Sequence, residues 1–173
     1  KEQSLIHILY GEDGFSCQEE LRRIKTQSSS ADFLDNNTTV LDGKQLTLAQ
    51  LIGVCDAAPF FSSFRLVIVK GLMDRFEPKF GKGAEKSSGR ADGVEFMHGL
   101  ETYVKNIPAT TTLIFIDGHV RLSNPVLKRL SPLSKVSHFP ALKGKDLYVW
   151  IQERISAKGA KVSSNAVRLL ADL

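Results

Sequence analysis

The residues nearest to a known chemical motif are Gly11-Glu12-Asp13-Gly14, which follow the first apolar run of the chain. A glycine turn between a strand and a helix is where nucleotide-binding proteins hold phosphate, because backbone N–H groups at the helix start point at the anion. Counted from Gly11, the phosphate-loop pattern G-x-x-x-x-G-K-S/T would need Gly, Lys and a hydroxyl residue where this chain has Ser16, Cys17 and Gln18. We therefore expect a degenerate phosphate loop that binds no nucleotide cofactor.

The same turn carries two acidic residues, Glu12 and Asp13. Negative charge at the start of a helix interacts favourably with the helix dipole, and it repels an incoming polyphosphate. The sequence therefore predicts the architecture of a nucleotide-binding protein without its chemistry.

Asp117 follows another apolar run, Leu113-Ile114-Phe115-Ile116, at the position where an ATPase uses an acid to hold Mg²⁺. The next residues, Gly118-His119-Val120, supply no Glu that would polarise a water molecule. We expect no catalytic residue here, and an Asp that caps a turn is the favoured interpretation of Asp117.

Histidine and cysteine spacing does not indicate a metal site. The histidines lack the i, i+4 spacing and the acidic neighbours of such sites; they are His7, His98, His119 and His138. Cys17 and Cys55 form no C-x-x-C pair, so we expect two buried free thiols.

Short apolar runs bounded by turn residues predict the strands that position these residues. They are Leu5–Tyr10, Thr39–Leu41, Leu66–Val69, Leu113–Ile116 and Val136–Phe139. Patterns of helical spacing alternate with them and begin at Cys17, Leu48, Val94 and Val126. Thr47-x-x-Gln50 and Asn124-Pro125 are typical of helix starts. This alternation predicts a three-layer α/β domain with a mostly parallel sheet over residues 1–140.

Two segments depart from this alternation. Met73–Gly93 is rich in Gly, Ser, Lys and Glu, which predicts a mobile surface loop. Residues 141–173 are helical in pattern, with Gly159 as a helix C-cap and Ser163 as an N-cap. We expect these residues to be the start of a truncated all-α domain, and we expect the chain to continue beyond Leu173.

The composition excludes few partners. A net charge of +4 permits contact with nucleic acid without requiring it, because 23 basic residues are scattered among 19 acidic ones. No stretch approaches the roughly 20 apolar residues of a membrane span, and no secretory signal is present, so a cytoplasmic location is expected.

Consecutive aromatic residues in a connection, Phe60 and Phe61, are the unusual feature of Ala58–Phe64. Connections are normally polar and exposed. Successive side chains of an extended segment point in opposite directions, so at least one ring is expected to be exposed or to lie on a short helical turn. The sequence leaves two interpretations open: an exposed anchor for a partner, or a pair folded under the sheet edge.

The order and spacing of several runs resemble the delta subunit of bacterial DNA polymerase III, the clamp-loader subunit that opens the sliding clamp. The resemblance extends over the whole chain. The matching residues are Leu9-Tyr10-Gly11-Glu12-Asp13, Leu41-Asp42-Gly43-Lys44 with Leu46–Leu51, Pro59-Phe60-Phe61 with Arg65–Val69, Thr112–Asp117, and Phe139-Pro140 through Leu142, Trp150-Ile151 and Arg154 to Gly159.

The resemblance implies an AAA+/P-loop NTPase-like domain followed by part of a helical lid, without the C-terminal collar domain. It implies a non-catalytic subunit of the polymerase holoenzyme that does not hydrolyse ATP. In the family a Leu-Phe pair at the tip of a short helix enters a pocket of the clamp, and the matching positions are Phe60 and Phe61, with Phe in place of Leu at position 60. The Gly/Lys/Glu-rich loop near residues 81–93 is longer than the family usually shows.

The implied partners are the sliding clamp (beta subunit), the gamma/tau and delta prime subunits, and primed DNA through the assembled loader, with no membrane. Two other classes stay open from the residues alone. One is a nucleotide-binding P-loop-type ATPase, and the other is a stand-alone DNA-binding module.

Overall fold

The computed structural model describes residues 5–28, 36–77 and 89–171. The chain divides into two compact units, Lys1–Phe139 and Pro140–Leu173. Among the described residues, no helix is both long and apolar enough to cross a membrane.

The first unit contains one sheet in which every neighbouring pair of strands is parallel. Its strands are β1 (Ile6–Tyr10), β2 (Thr38–Asp42), β3 (Arg65–Lys70), β4 (Thr111–Asp117) and β5 (Lys135–His138), in the spatial order β2-β3-β4-β1-β5. The central strand segments are continuous apolar runs, as expected for a parallel sheet that is covered on both faces. The predicted mixed α/β fold with a parallel sheet is confirmed.

Helices follow the strands in the alternation that the sequence predicts. They are α1 (Gly14–Ser28), α2 (Leu48–Cys55), α3 (Leu72–Arg75), α4 (Gly89–Val104) and α5 (Pro125–Leu130), the last followed by a short 3-10 helix, Ser131–Leu133. The capping box is present at α2, where the Thr47 hydroxyl accepts from Gln50 N and the Gln50 side chain accepts from Thr47 N. The Asn124 side chain accepts from Val126 N and Leu127 N at the start of α5. Both predicted helix starts are confirmed.

Two apolar cores lie on opposite faces of the sheet, because successive strand side chains alternate in direction. Ile8 belongs to the core that α2, α4 and α5 cover, and its neighbour Leu9 belongs to the core that α1 covers. Both side chains are fully buried. The sheet therefore lies between two layers of helices.

The predicted mobile loop over Met73–Gly93 is wrong at both ends. Met73 is fully buried in α3, and α4 begins at Gly89, before the predicted start at Val94. Polar residues far along the chain hold α3: the N–H of Met73 donates to Asp117, and its C=O accepts from Asn124. Composition does not reveal such contacts between distant residues. The centre of the predicted loop, residues 78–88, lies outside the described residues.

The second unit contains α6 (Gly144–Ala157) and α7 (Ser164–Ala171), which contact each other. Helix α6 is followed by its C-cap residue Lys158 and then by Gly159, which has φ +76°, and the Ala160 N–H donates to Ile155 O. The Ser163 hydroxyl accepts from Ala166 N at 3.3 Å. The predicted N-cap at Ser163 is confirmed, and the helix end is predicted to within one residue, because the C-cap is Lys158 and Gly159 is the left-handed residue after it.

Candidate functional site

The aromatic pair lies in the connection between α2 and β3, at the amino-terminal edge of the parallel sheet. Phe60 is 55% exposed and Phe61 is 79% exposed. The two rings contact each other edge to face, with centroids 4.6 Å apart and planes at 89°. Neither ring folds under the sheet edge, so that interpretation is wrong, and the role of the pair as an anchor for a partner stays a prediction.

Phe61 has a left-handed backbone conformation, with φ +44°, and among the described residues it is the one non-glycine with positive φ. This conformation costs an ordinary L-residue roughly 1–2 kcal/mol. Such a residue keeps it only where the surrounding structure fixes the backbone. The connection contains no helix, which differs from the short helix that the family resemblance implies.

A buried side chain that the sequence reasoning missed fixes this backbone. Asn37 is 1% exposed, its Nδ2 donates to Phe60 O at 2.8 Å, and its Oδ1 accepts from Phe60 N at 2.6 Å. Its own backbone C=O accepts from Leu66 N, which extends the pairing of β2 with β3. An Asn two positions before the predicted strand Thr39–Leu41 was a visible signal, but its partner lies 23 residues away and is reached only through strand pairing.

Further hydrogen bonds fix the start of the same connection. Arg65 Nη2 donates to Ala58 O at 3.2 Å, and the Tyr103 hydroxyl donates to Asp56 Oδ1 at 2.6 Å. The Tyr103 pKa is raised, first by burial and then by this hydrogen bond. Burial also raises the pKa of the Cys55 thiol to about 11, so this buried free cysteine stays neutral at physiological pH. The site therefore offers apolar rings on a fixed backbone and no activated nucleophile.

The glycine turn lies at the opposite, carboxyl-terminal edge of the sheet, and two of its backbone N–H groups already donate to carbonyls of other segments. The Gly11 N–H donates to Gly118 O at 2.9 Å, and the Asp13 N–H donates to Phe139 O at 3.1 Å. Gly11 has φ +141°, and a Cβ there would lie 1.9 Å from Phe139 O. The backbone of Phe139 therefore occupies the space beside the turn.

The start of α1 is closed in the same way. The Asp13 carboxylate accepts from the Ser16 N–H at 3.0 Å. Cys17, at the position of the phosphate-loop lysine, is buried, and burial raises the pKa of its thiol. Gln18 is exposed at the position of the hydroxyl residue. The helix amide that faces a phosphate in a functional loop is capped here by a carboxylate.

Asp117 performs a structural task at the same edge. Its Oδ1 accepts from the N–H groups of Met73 and Asp74, both at 3.1 Å, so the carboxyl caps the first turn of α3. Asp117 is 7% exposed, and burial raises its pKa to about 6. The predicted capping role is confirmed. In residues 5–28, 36–77 and 89–171, no group of three His, Cys, Asp or Glu residues is placed to hold a metal ion.

The sequence model of the family described as "DNA polymerase III, delta subunit" matches residues 7–138, which include both the aromatic pair and the closed turn. The chain belongs to the DNA polymerase III delta-subunit family. The resemblance inferred from the sequence runs is thereby confirmed.

Individual relatives of the delta family agree with this assignment. The DNA polymerase III subunit delta of Bacillus subtilis is 27% identical over 142 residues, which are 82% of this chain and 38% of the relative. The solved structure of the Bacillus subtilis DNA clamp loader delta protein aligns with a TM-score of 0.67 and 20% identity, and covers 95% of this chain and 47% of that one. This chain therefore spans less than half the length of either delta protein.

A more distant fold match is a chain of the E. coli MS115-1 HORMA:CdnC:Trip13 complex. It aligns with a TM-score of 0.52 and 13% identity, over 98% of this chain and 58% of that one. At such identity the similarity describes the fold alone.

Proposed function

We propose that this delta-family chain binds and opens the ring-shaped sliding clamp, so that the clamp is loaded on primed DNA. The observation that supports this role is the exposed aromatic pair, Phe60 and Phe61, held on a hydrogen-bonded backbone. Exposed rings on an ordered loop are typical anchors for a pocket on a partner protein.

The pair is large enough to dominate an interface. Complete burial of a fully exposed Phe side chain is worth roughly 1.5–3 kcal/mol. Because Phe60 is 55% exposed and Phe61 is 79% exposed in the free chain, burying the remainder of both rings supplies up to roughly 4 kcal/mol before the costs of association. Both residues are apolar and of large volume, so Phe at position 60 fits the role that the family gives to Leu. We therefore place the clamp contact at these two residues.

Opening would follow from differential affinity. A ligand shifts a conformational equilibrium only by the difference between its affinities for the two states. If the rings and the adjacent strand ends fit a clamp subunit whose interface is strained or open, binding shifts the ring toward opening. No chemical step in this chain is required.

The closed glycine turn supports a chain that does not itself hydrolyse ATP. The N–H groups of Gly11 and Asp13 donate to the carbonyls of Gly118 and Phe139, and Asp117 caps α3. In this proposal the gamma/tau and delta prime subunits accompany the chain in the cytoplasmic loader, and the assembled loader binds primed DNA through phosphate contacts.

Calorimetric titration of the chain into the sliding clamp of the same organism tests the proposal. The Phe60→Ala/Phe61→Ala double variant is expected to bind about 100-fold more weakly or worse, because the anchor is lost. Phe15→Ala is the matched control, since Phe15 is another exposed ring, 53% exposed, on α1. Circular dichroism and thermal unfolding check that each variant is folded.

Equal binding by the double variant would move the site elsewhere, and no binding by the wild type would contradict the proposal. Titration with ATP is a second arm, in which no saturable binding is expected. Saturable ATP binding would support the P-loop-type ATPase instead. Tight, strongly salt-dependent DNA binding by the chain alone would support the DNA-binding module.

A further inference from the structure

We infer that Asn37 is a positioning residue for clamp binding: its buried carboxamide holds the backbone of Phe60 so that the aromatic pair is ordered before the clamp arrives. This inference rests on the proposed function. It assigns a role to a side chain that is itself too deeply buried to reach a partner, with 1% of its surface exposed.

Two hydrogen bonds join the Asn37 side chain to the backbone of Phe60. Asn37 Nδ2 donates to Phe60 O at 2.8 Å while Asn37 Oδ1 accepts from Phe60 N at 2.6 Å. A planar amide that uses its donor and its acceptor on the same residue fixes that residue's orientation as well as its position. The next residue, Phe61, has φ +44°, which most L-residues avoid unless their surroundings impose it.

An exposed aromatic pair needs this support because its side chains make few packing contacts with the rest of the chain, and such contacts would otherwise order them. The rings are 55% and 79% exposed, and they contact each other at 4.6 Å. On an unrestrained loop such rings sample many orientations, and ordering them on binding lowers affinity. A loop that is ordered in advance avoids this loss.

The chemistry of the contact makes Asn37 difficult to replace. Alanine removes the donor and the acceptor together. Aspartate keeps an acceptor for the Phe60 N–H, but it sets a second oxygen where Nδ2 now donates to Phe60 O. Two acceptors then face each other, so Asn37→Asp also releases one side of the contact.

Kinetics separate this positioning role from an ordinary contact. When only a fraction of molecules has the competent loop, the apparent affinity falls by that fraction. Asn37→Ala is therefore expected to lower the association rate constant for the clamp by about tenfold, with the dissociation rate constant within about threefold of wild type. Phe61→Ala, which removes a ring that touches the clamp, is expected to raise the dissociation rate constant instead.

Stopped-flow binding to the sliding clamp tests this, together with hydrogen exchange at the Phe60 amide of the free chain. The Phe60 N–H is expected to be protected in the wild type and unprotected in Asn37→Ala. Asn106→Ala is the matched control, because Asn106 Nδ2 also donates to a backbone oxygen, Thr102 O at 3.1 Å, but outside this connection. It is expected to bind at the wild-type rate. If Asn37→Ala does not fold, Asn37→Asp is measured in its place and is expected to associate several-fold more slowly than wild type.

An unchanged association rate constant for the Asn37 variant would overturn the inference, as would an effect confined to dissociation. The proposed function fails separately, when the Phe60→Ala/Phe61→Ala variant binds as well as wild type. The inference alone fails when the double variant loses binding and the Asn37 variant associates at the wild-type rate.

Discussion

The two edges of the sheet use their backbone and side chains in opposite ways. At the carboxyl-terminal edge, backbone N–H groups of the turn at Gly11 donate to the carbonyls of Gly118 and Phe139. At the amino-terminal edge, Asn37 satisfies the backbone of Phe60, and the two aromatic side chains are exposed. The first arrangement occupies donors that a small anion would need, and the second leaves apolar surface exposed, which we propose binds the sliding clamp.

The difference shows which property makes a connection available for binding. Donors at a helix start bind phosphate only while they are free. Apolar rings bind a pocket only while they are exposed, and they do so with least loss when their backbone is already ordered. The same parallel sheet supports both situations, so the fold alone does not decide which edge carries the function.

The largest expected effect is on the carboxyl-terminal edge, with Gly11→Ala. A Cβ at this position would lie 1.9 Å from Phe139 O, and φ is +141°. We expect the free energy of unfolding to fall by about 3 kcal/mol or more, because backbone atoms must move. Chemical denaturation measures the change.

Gly118→Ala is the matched control for Gly11→Ala, because an added Cβ at Gly118 meets nothing within 4 Å. We expect its stability to be within about 0.5 kcal/mol of wild type. A Gly11→Ala variant as stable as Gly118→Ala would show that Phe139 does not close the turn.

Local patterns predicted the helix caps and the degenerate glycine turn, but few of the contacts between distant residues. The caps at Thr47, Asn124 and Ser163 depend on residues two or three positions apart, and the sequence revealed them. The missing lysine at Cys17 also predicted the degenerate turn. The hydrogen bonds between Asn37 and Phe60, and between Met73 and Asp117, join residues that are 23 and 44 positions apart in the sequence and that strand pairing brings together. Composition and periodicity carry no signal for such pairs.

The second prediction sharpens the description of the amino-terminal edge, with Phe61→Gly beside Phe61→Ala. Both variants lose the ring, and we expect clamp binding to weaken about 30-fold in each, or about 2 kcal/mol. Their stabilities should differ, because glycine adopts φ +44° without strain and alanine does not. We expect Phe61→Gly to be more stable than Phe61→Ala by about 1 kcal/mol in denaturant unfolding. Equal stability would mean that the left-handed backbone at residue 61 is not strained.

The third prediction concerns Asp117, which has a raised pKa of about 6. An unfolded chain holds its Asp pKa at about 3.9, so between about pH 4 and pH 6 the folded chain keeps a proton that the unfolded chain has lost. The contribution of the raised Asp117 pKa to the free energy of unfolding is therefore fully present below pH 4, and it is lost as the pH rises through 6. From pH 5 to pH 7, wild type is expected to lose about 1 kcal/mol relative to Asp117→Asn.

Asparagine is the informative replacement because its oxygen still accepts from the amides of Met73 and Asp74. Urea unfolding of both proteins at pH 5 and pH 7 gives the four free energies needed. The carboxyls of Glu20 and Glu101 have lowered pKa values and titrate below this range. A difference in unfolding free energy that does not change with pH would contradict the raised pKa of Asp117.

The smallest expected effect tests how the start of α1 is closed. Asp13→Ala removes the carboxylate that accepts from the Ser16 N–H at 3.0 Å, and loss of such a cap is expected to lower stability by about 0.5–1 kcal/mol. Asp13→Asn is the control, because asparagine caps as well as aspartate, and its stability should stay within about 0.5 kcal/mol of wild type. Neither variant should gain affinity for a fluorescent ATP analogue, since the N–H groups of Gly11 and residue 13 still donate to the carbonyls of Gly118 and Phe139. Nucleotide binding by Asp13→Ala alone would mean that one carboxylate, rather than the packed backbone, keeps this edge closed.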